Sequence, residues 1–256
     1  MPAILFIVLV GLLEFGCSFL PKVYEYHDPL TPQEHLALGV SYESKGNADL
    51  AIAEYKKVIE SKAPGQSVTA RVFLGNVYAE LEQYDAAEQC YREALSLDPN
   101  RGQALNNLAA LYVKQGTLLI QAESLARTAV TQAESENQPR EKGIYLETLG
   151  EVLLQQGRYS EALESFHQAE AFNDRVKPFG LVQLYTNMAD AYERLGQMED
   201  AQQARQRAEN FGNRERAREE ADYSPFIRGC MVAAQAVGKR PCRHHTTRAC
   251  AMRFRG

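Results

Sequence analysis

The chain has 256 residues, of which 45% are hydrophobic and 24% charged, and its formal net charge at pH 7 is −5. Such a composition is ordinary for a folded soluble protein, and its five cysteines, an odd and scattered set, argue against a disulfide-stapled module. Between Leu30 and Asn213 there are 17 Lys and Arg against 26 Asp and Glu, so this body should repel nucleic acid, whereas Pro225 to Gly256 holds seven basic residues and no acidic one.

Residues 1–17 form an apolar segment that predicts a signal peptide or membrane anchor. Ala3 to Leu13 is an uninterrupted apolar run of eleven residues, which suits the core of a secretory signal and is too short to span a bilayer unaided. The closing Gly16-Cys17 resembles the end of a bacterial lipoprotein signal, which makes Cys17 a candidate lipidation site. Glu14 and Phe15 depart from the usual lipoprotein pattern, and no Lys or Arg precedes the run. An uncleaved anchor and a chance cysteine therefore remain as alternatives.

Residues 18–31 are predicted to form an irregular tether. The sequence Thr31-Pro32-Gln33-Glu34 then has the residues of a capping box with proline at the first helical position. Alanine, leucine, glutamate and glutamine dominate the sequence that follows, so helix is the expected class.

A pattern of a large apolar residue, a small residue and, three positions later, usually tyrosine recurs five times in the middle of the chain. Its copies begin at Leu38, Leu74, Leu108, Leu149 and Met188, with spacings of 36, 34, 41 and 39 residues. A second half follows each copy at a nearly fixed offset, as Ala51, Tyr55 and Val58; Ala87, Tyr91 and Ala94; Ala122, Ala126 and Ala129; Ala162, Phe166 and Ala169; and Ala201, Arg205 and Ala208.

Pairs of closely packed antiparallel helices explain this pattern. Small residues let two helix backbones approach, and large residues fill the gaps between successive pairs. Glycines fall where the two helices of a pair should be joined by a left-handed residue, at Gly46, Gly116, Gly157 and Gly196. The alternative is a generic helical bundle with Leu and Tyr in its core, but five copies in one register argue against it.

From Pro32 to Phe211 the chain resembles the tetratricopeptide repeat family. The resemblance implies an all-α fold, a right-handed α-solenoid of about five helix pairs, with units at about 32–65, 68–101, 102–136, 143–176 and 182–213. It also implies a concave groove, lined by the first helix of each pair, that binds peptides or partner helices. Helical spacing places in this groove Val72, Phe73, Asn76, Glu80, Asn106, Asn107, Lys114, Glu147, Glu151, Asn187, Asp190 and Glu193, together with Leu36, Val40, Glu43, Ala110, Thr148 and Arg194.

Six carboxylates against two cations on this face predict a partner segment that is basic or neutral, and the alternative is a solvated helix face with scattered charge. Some chaperone-binding members of the family hold a C-terminal carboxylate with a clamp of two asparagines and three cations. Asn76 and Asn107 match the asparagines, but Val72, Ile144 and Thr148 occupy the cationic places. An anionic peptide tail is therefore not the expected ligand.

The sequence holds no phosphate-binding glycine loop and no His-Glu-x-x-His motif, so we expect no enzymatic activity and no cofactor. Residues 214–224 are predicted to form a helical cap, and 225–256 a basic, disordered tail or a segment read from an altered frame. The tail contains Cys230, Cys242, His244, His245 and Cys250, but their spacing lacks the paired geometry of a zinc site. A metal-binding tail with an enzymatic role is the least favoured interpretation.

These features predict a non-catalytic protein-binding scaffold of the bacterial cell envelope, anchored by its N-terminus, with a periplasmic repeat domain. By architecture it resembles repeat lipoproteins that help pilus or secretion machinery to assemble. The alternative is a membrane-attached cytoplasmic regulatory adaptor with an uncleaved anchor. The partner and the oligomeric state do not follow from the sequence.

Overall fold

The computed structural model describes residues 28–61, 63–173, 178–214 and 216–217. These residues contain ten α-helices and no strand, which confirms the all-α prediction for this part of the chain. The helices are α1 (Pro32–Ser44), α2 (Ala48–Glu60), α3 (Pro64–Glu80), α4 (Tyr84–Leu97), α5 (Gly102–Gln115), α6 (Leu119–Ser135), α7 (Pro139–Gln155), α8 (Tyr159–Asn173), α9 (Pro178–Arg194) and α10 (198–214).

The helices form five consecutive pairs that stack into an α-solenoid. From α1 to α9 each helix packs against the next one in the chain. The last pair is joined by side chains: the Tyr185 ring on α9 stacks on the Phe211 ring on α10, with centroids 5.7 Å apart. Since each pair contacts its neighbours in the stack, the fold is the repeat architecture that the periodicity predicted.

The start of α1 and the turns between paired helices confirm the residues predicted to cap them. Thr31 caps α1: its hydroxyl accepts from the Glu34 amide at 3.3 Å, and the Glu34 carboxylate accepts from the Thr31 amide at 2.7 Å. The four glycines predicted at turns have φ angles of 73, 66, 77 and 76°, in the left-handed region that glycine adopts without strain. In the second unit Glu82 has this conformation, with φ of 59°.

Three units begin about four residues before their predicted starts at 68, 143 and 182. Their first helices start at Pro64, Pro139 and Pro178. Proline suits the first helical position because its fixed φ is helical and its missing N–H has no partner there in any case. The prolines therefore mark the starts, whereas the repeated Leu and Tyr positions mark only the middle of each helix.

Glycine opposite an aromatic ring sets the packing within three of the pairs. Gly39, Gly75 and Gly150 on the first helices face Tyr55, Tyr91 and Phe166 on the second, and a Cβ atom built on Gly75 would lie 2.5 Å from Tyr91 Cε1. In the third and fifth units alanine replaces the glycine, and the facing position holds Ala126 or Arg205 in place of an aromatic residue. In the third unit the two sides therefore change size together, as close packing requires, whereas in the fifth unit the Arg205 side chain is exposed.

The core is continuous along the stack. One cluster runs from Val68 in the second unit to Ala208 in the fifth, and another joins the first unit to the second around Tyr55. The largest fully buried side chains include Tyr55, Tyr112 and Phe166, so the repeated aromatic positions form much of the core, as the pattern predicted.

Several predicted segments lie outside the described residues. They are the signal or anchor at 1–17 with Cys17, most of the tether at 18–31, most of the cap at 214–224, and the tail at 225–256. Among the described helices, none combines the length and the apolar character needed to cross a membrane.

Candidate partner-binding groove

The first helices of the five pairs form the inner row of the solenoid. Successive helices α1, α3, α5, α7 and α9 contact one another, whereas no such contact joins the described second helices α2, α4, α6 and α8. The stack is therefore tighter on the side of the first helices, and this side is the concave face. Its lining residues were predicted from helical spacing, and their burial differs from one register position to the next.

Four residues predicted to line the groove are closed off from solvent: Leu36, Val72, Asn106 and Thr148. Val72 is fully buried in the core that the second and third units share, so the prediction that it lines the groove is wrong. Asn106 is only 5% exposed. Both occupy the position two residues before the repeated Leu, as does Leu36, which is 6% exposed. The same position in the fifth unit, Thr186, is exposed. The following unit therefore covers this position, an effect of stacking that helical spacing alone does not reveal.

The other predicted lining residues reach the surface to different degrees. Those that are half-buried are Glu43, Phe73, Asn76, Asn107, Ala110, Glu147, Glu151, Asn187 and Asp190, and those that are exposed are Val40, Glu80, Lys114, Glu193 and Arg194. Phe73 packs against the Tyr55 ring, with centroids 5.7 Å apart, and so belongs partly to the core.

Polar side chains link neighbouring first helices across the groove. The Asn107 side chain on α5 donates to Asn76 Oδ1 on α3 at 2.7 Å, and the Tyr91 hydroxyl donates to the same oxygen at 2.9 Å. The Asn187 side chain on α9 donates to Glu151 Oε1 on α7 at 2.8 Å. Asn76 and Asn107 thus bind each other, and part of their hydrogen-bonding capacity is already used within the protein.

The carboxylates near the end of the groove are paired with basic side chains. Asp190 Oδ1 lies 3.3 Å from Arg194 Nε, and Glu193 forms an ion pair with Arg205. Lys114, the other predicted cation, lies over the Tyr84 ring with Nζ 5.2 Å from its centroid. Four of the six predicted groove carboxylates therefore have no ion pair among the described residues: Glu43 on α1, Glu80 on α3, and Glu147 and Glu151 on α7.

Glu147 and Glu151 lie one turn apart on α7 and are strongly desolvated. Burial, with a contribution from the nearby Glu151 carboxylate, raises the pKa of Glu147 from 4.5 to about 7. Burial also raises the pKa of Glu151, although the hydrogen bond from Asn187 opposes this. Glu147 lies two residues before the repeated Leu149. At the same place in other units Leu36 and Val72 are buried by the following unit, and this location explains the desolvation of the Glu147 carboxyl.

Two residues that shape the groove were missed from the sequence. Gln183 donates to Asn187 Oδ1 at 2.9 Å and orients the amide that binds Glu151. It lies four residues before Asn187 on one helix, a spacing that indicates such a contact. The second is Arg205, which the sequence analysis described only as a replacement for an aromatic residue. Its positive charge, on the helix that pairs with the helix of Glu193, could have indicated the ion pair that the two residues form.

Among the described residues, no three or more His, Cys, Asp and Glu side chains are grouped so that they could hold a metal ion. The cysteines and histidines of the tail lie outside those residues. The absence of a cofactor and of enzymatic activity stays a prediction.

Comparison with known proteins supports the repeat assignment. A TPR repeat model matches residues 75–116, and two tetratricopeptide repeat models match residues 121–175 and residues 35–63 with 182–219. The protein O-mannosyl-transferase Tmtc1 of Drosophila melanogaster is 31% identical over 132 residues, which are 50% of this chain and 15% of that relative. The chain therefore spans only a small part of the relative's length.

Two solved structures share the fold. BtubC from P. vanneervenii has a TM-score of 0.61 with 16% identity, and the match covers 84% of each chain. The PilF protein of Pseudomonas aeruginosa has a TM-score of 0.59 with 24% identity, over 70% of this chain and 76% of PilF. The family models together cover more than half of the chain, and five stacked helix pairs carry the repeat residues at matching positions. The chain belongs to the tetratricopeptide repeat family, whose members are scaffolds for protein–protein interaction.

Proposed function

We propose that this protein is a non-catalytic adaptor that holds a segment of a partner protein in its concave groove. The observation that carries this proposal is the row of half-buried polar side chains across the first helices, from Asn76 on α3 to Asp190 on α9. Such side chains are accessible enough to contact a ligand and fixed enough to select one. The concave groove implied by the family, in which peptides or partner helices lie, makes a protein segment the expected ligand.

The charge of the groove favours a basic or neutral segment. Asp190 and Glu193 are paired internally, but Glu147 and Glu151 have no basic side chain within ion-pair distance in the described part of the chain. A cationic group would gain from these carboxylates, and an acidic one would be repelled. The same negative body disfavours nucleic acid.

The N-terminal segment supports a place in the bacterial cell envelope for this adaptor. A lipid on Cys17 would tether the repeat domain to a membrane and leave the groove in the periplasm, where it could serve the assembly of pilus or secretion machinery. The likeness to PilF supports the fold alone. Glu14 and Phe15 depart from the lipoprotein pattern, and the second candidate is therefore a cytoplasmic regulatory adaptor with an uncleaved anchor.

The groove proposal is tested by a variant with alanine at Asn76, Asn107 and Glu151. We expect it to capture less of the partner from native membranes than the parent does, because three polar contacts are lost from the concave face. Helix content should remain, since the two asparagines bind each other and are removed together; the Tyr91 hydroxyl loses one acceptor, a cost of about 1 kcal/mol.

A matched variant with alanine at Gln89, Glu164 and Gln168, exposed residues of the outer helices α4 and α8, should capture the partner as the parent does. Equal capture by the groove variant and the parent would place recognition on the convex surface or in the tail, and the groove proposal would fail.

The anchor proposal is tested by Cys17→Ala. We expect the variant to lose labelling by radioactive palmitate and to leave the membrane fraction that holds the parent, because the thiol is the only acceptor for the lipid in this signal. A serine in the same segment, Ser18→Ala, is the control and should keep the label. Palmitate labelling that survives Cys17→Ala would contradict lipidation at this residue, and an unlabelled parent that stays in the membrane fraction would favour the uncleaved anchor.

A further inference from the structure

We propose that the first helix pair carries a proton-dependent clasp, in which the His35 ring and Lys57 hold Asp28 of the predicted tether and loosen it as pH rises. The His35 ring lies between two carboxylates, with Nδ1 2.5 Å from Glu54 Oε2 and Nε2 3.4 Å from Asp28 Oδ2. Lys57 Nζ closes the cluster, since it lies 3.3 Å from Asp28 Oδ2 and 3.3 Å from Glu54 Oε1. These contacts join the residues before α1 to both helices of the pair.

His35 and Glu54 are buried at places where the repeat does not require charge. His35 stands three residues before the repeated Leu38 and is only 4% exposed, and Glu54 stands three residues after Ala51 and is 9% exposed. At the place of His35 the last three units have the buried residues Leu105, Leu146 and Tyr185. At the place of Glu54 the other units have the uncharged residues Cys90, Leu125, Ser165 and Ala204. The packing of the repeat therefore does not explain this pair, which occurs in the unit that the predicted tether enters.

The charged ring satisfies both carboxylates, whereas the neutral ring satisfies one. A neutral imidazole has one N–H donor and one lone pair, and the charged ring donates from both nitrogens. With the ring charged, two cations face two carboxylates within the cluster. Loss of the proton turns a lone pair towards one carboxylate and leaves a negative charge without compensation where the ring is closed off from solvent. The docked state therefore binds the proton more tightly than the undocked state, so docking weakens as pH rises.

Asp28 is the partner that the clasp can release. Glu54 is fixed in the middle of α2, whereas Asp28 precedes α1 and is exposed. The hydrogen bond from the Leu30 amide and the contact with Lys57 lower the pKa of Asp28, so this carboxyl keeps its charge across about pH 5 to 8, the range in which histidine changes its own. When the ring is neutral, Lys57 alone holds Asp28. The two side chains of that ion pair are 43% and 35% exposed, and exposed ion pairs stabilise little.

The other charged groups near the ring are engaged or exposed. On α1, Glu34 accepts from the amide and the hydroxyl of Thr31 in the capping box. On α2, Lys56 and Glu60 are exposed. On α3, which also packs against α1, the charged residues are Arg71, which lies 3.2 Å from Glu93 on α4, and Glu80, at the far end of the helix. The carboxylates of Asp28 and Glu54 and the ammonium of Lys57 are thus the charges that contact His35 or close its cluster.

The clasp is tested by hydrogen exchange of the amides of residues 28–35, measured by mass spectrometry on the full chain in detergent at pH 6 and pH 8. After correction for the intrinsic effect of pH on exchange, the segment of the wild-type protein should exchange about fivefold faster or more at pH 8, because the undocked state is then populated. His35→Gln keeps a donor and an acceptor but does not titrate, so its corrected rates should be equal at the two pH values.

Asp28→Asn provides a variant that leaves the buried part of the cluster in place. It should exchange at pH 6 about as fast as the wild-type protein does at pH 8. It should also shift the loss of the His35 ring proton to lower pH, because the proton and the docked state favour each other. Ring ¹⁵N signals measure this shift, and the signal of His35 is identified by its absence in His35→Gln. His167→Gln, at an exposed histidine on α8, is the control and should keep the pH dependence of exchange.

Three outcomes would overturn the clasp and leave the adaptor function standing, since none of them concerns the groove. The first is equal corrected exchange of the wild-type segment at pH 6 and pH 8. The second is a pH difference that survives in His35→Gln, because another group would then cause it. The third is a ring proton that Asp28→Asn leaves unshifted, since Asp28 and the ring would then not be coupled.

Discussion

Replacing Gly75 with leucine should lower the free energy of unfolding by about 3 kcal/mol or more, the upper range of overpacking effects. The reason is the Tyr91 ring: the first added carbon would lie 2.5 Å from Tyr91 Cε1, and Tyr91 is only 2% exposed. The ring cannot move aside without disturbing the core around it, including Val72 and Ala94. Because each repeat is stabilised mainly by its neighbours, the loss should spread to the first and third units.

Gly65→Leu provides the matched control for this prediction. Gly65 lies near the start of the same helix, and a Cβ atom there would meet nothing within 4 Å. Leucine at this position should therefore be tolerated and should even gain from its better helix propensity, by about 0.5–1 kcal/mol. Thermal and urea unfolding followed by circular dichroism measure both variants. A Gly75→Leu protein that unfolds like the parent would show that the assigned repeat register is mistaken.

Replacing Glu147 with glutamine should stabilise the protein above neutral pH, by up to about 3 kcal/mol, because burial raises the pKa of this carboxyl from 4.5 to about 7. Between pH 4.5 and about pH 7 the Glu147 carboxyl is deprotonated in the unfolded chain and still protonated in the folded protein. Stability of the wild-type protein therefore falls as pH rises from 4.5 to about 7, and the full cost of the buried charge is present above that range. Glutamine has no charge to desolvate, so it removes this part of the pH dependence.

Melting temperatures at pH 5 and pH 8 test this expectation. The variant and the parent should melt at similar temperatures at pH 5, and the variant should melt several degrees higher at pH 8, since about 1 kcal/mol corresponds to roughly 2–4 °C in a domain of this size. Glu164→Gln, at an exposed site on α8, should follow the parent at both pH values. A melting temperature of Glu147→Gln that equals the parent's at pH 8 would contradict the desolvation of this carboxyl.

Local sequence features determined the architecture of this protein. Pairs of helices, their repeat spacing and the glycines at their turns follow from rules that act within a few residues, because a helix and its caps depend on neighbouring side chains and backbone groups. The contact between Gly75 and the Tyr91 ring was also predictable, because the repeat fixes the number of residues between facing positions on the two helices of a pair. Proline at the starts of α3, α7 and α9 was available as a signal as well.

Only the tertiary structure decided which groove residues are free to act. Helical spacing placed Val72 and Glu147 on the lining face, but the stacking of the next unit buries the first and desolvates the second. Pairing within α9 and between α9 and α10 neutralises Asp190 and Glu193, and Glu147 and Glu151 have no cation within ion-pair distance among the described residues. Burial depends on contacts between residues far apart in the chain, and the period of a repeat specifies the face on which a residue lies without specifying what covers it.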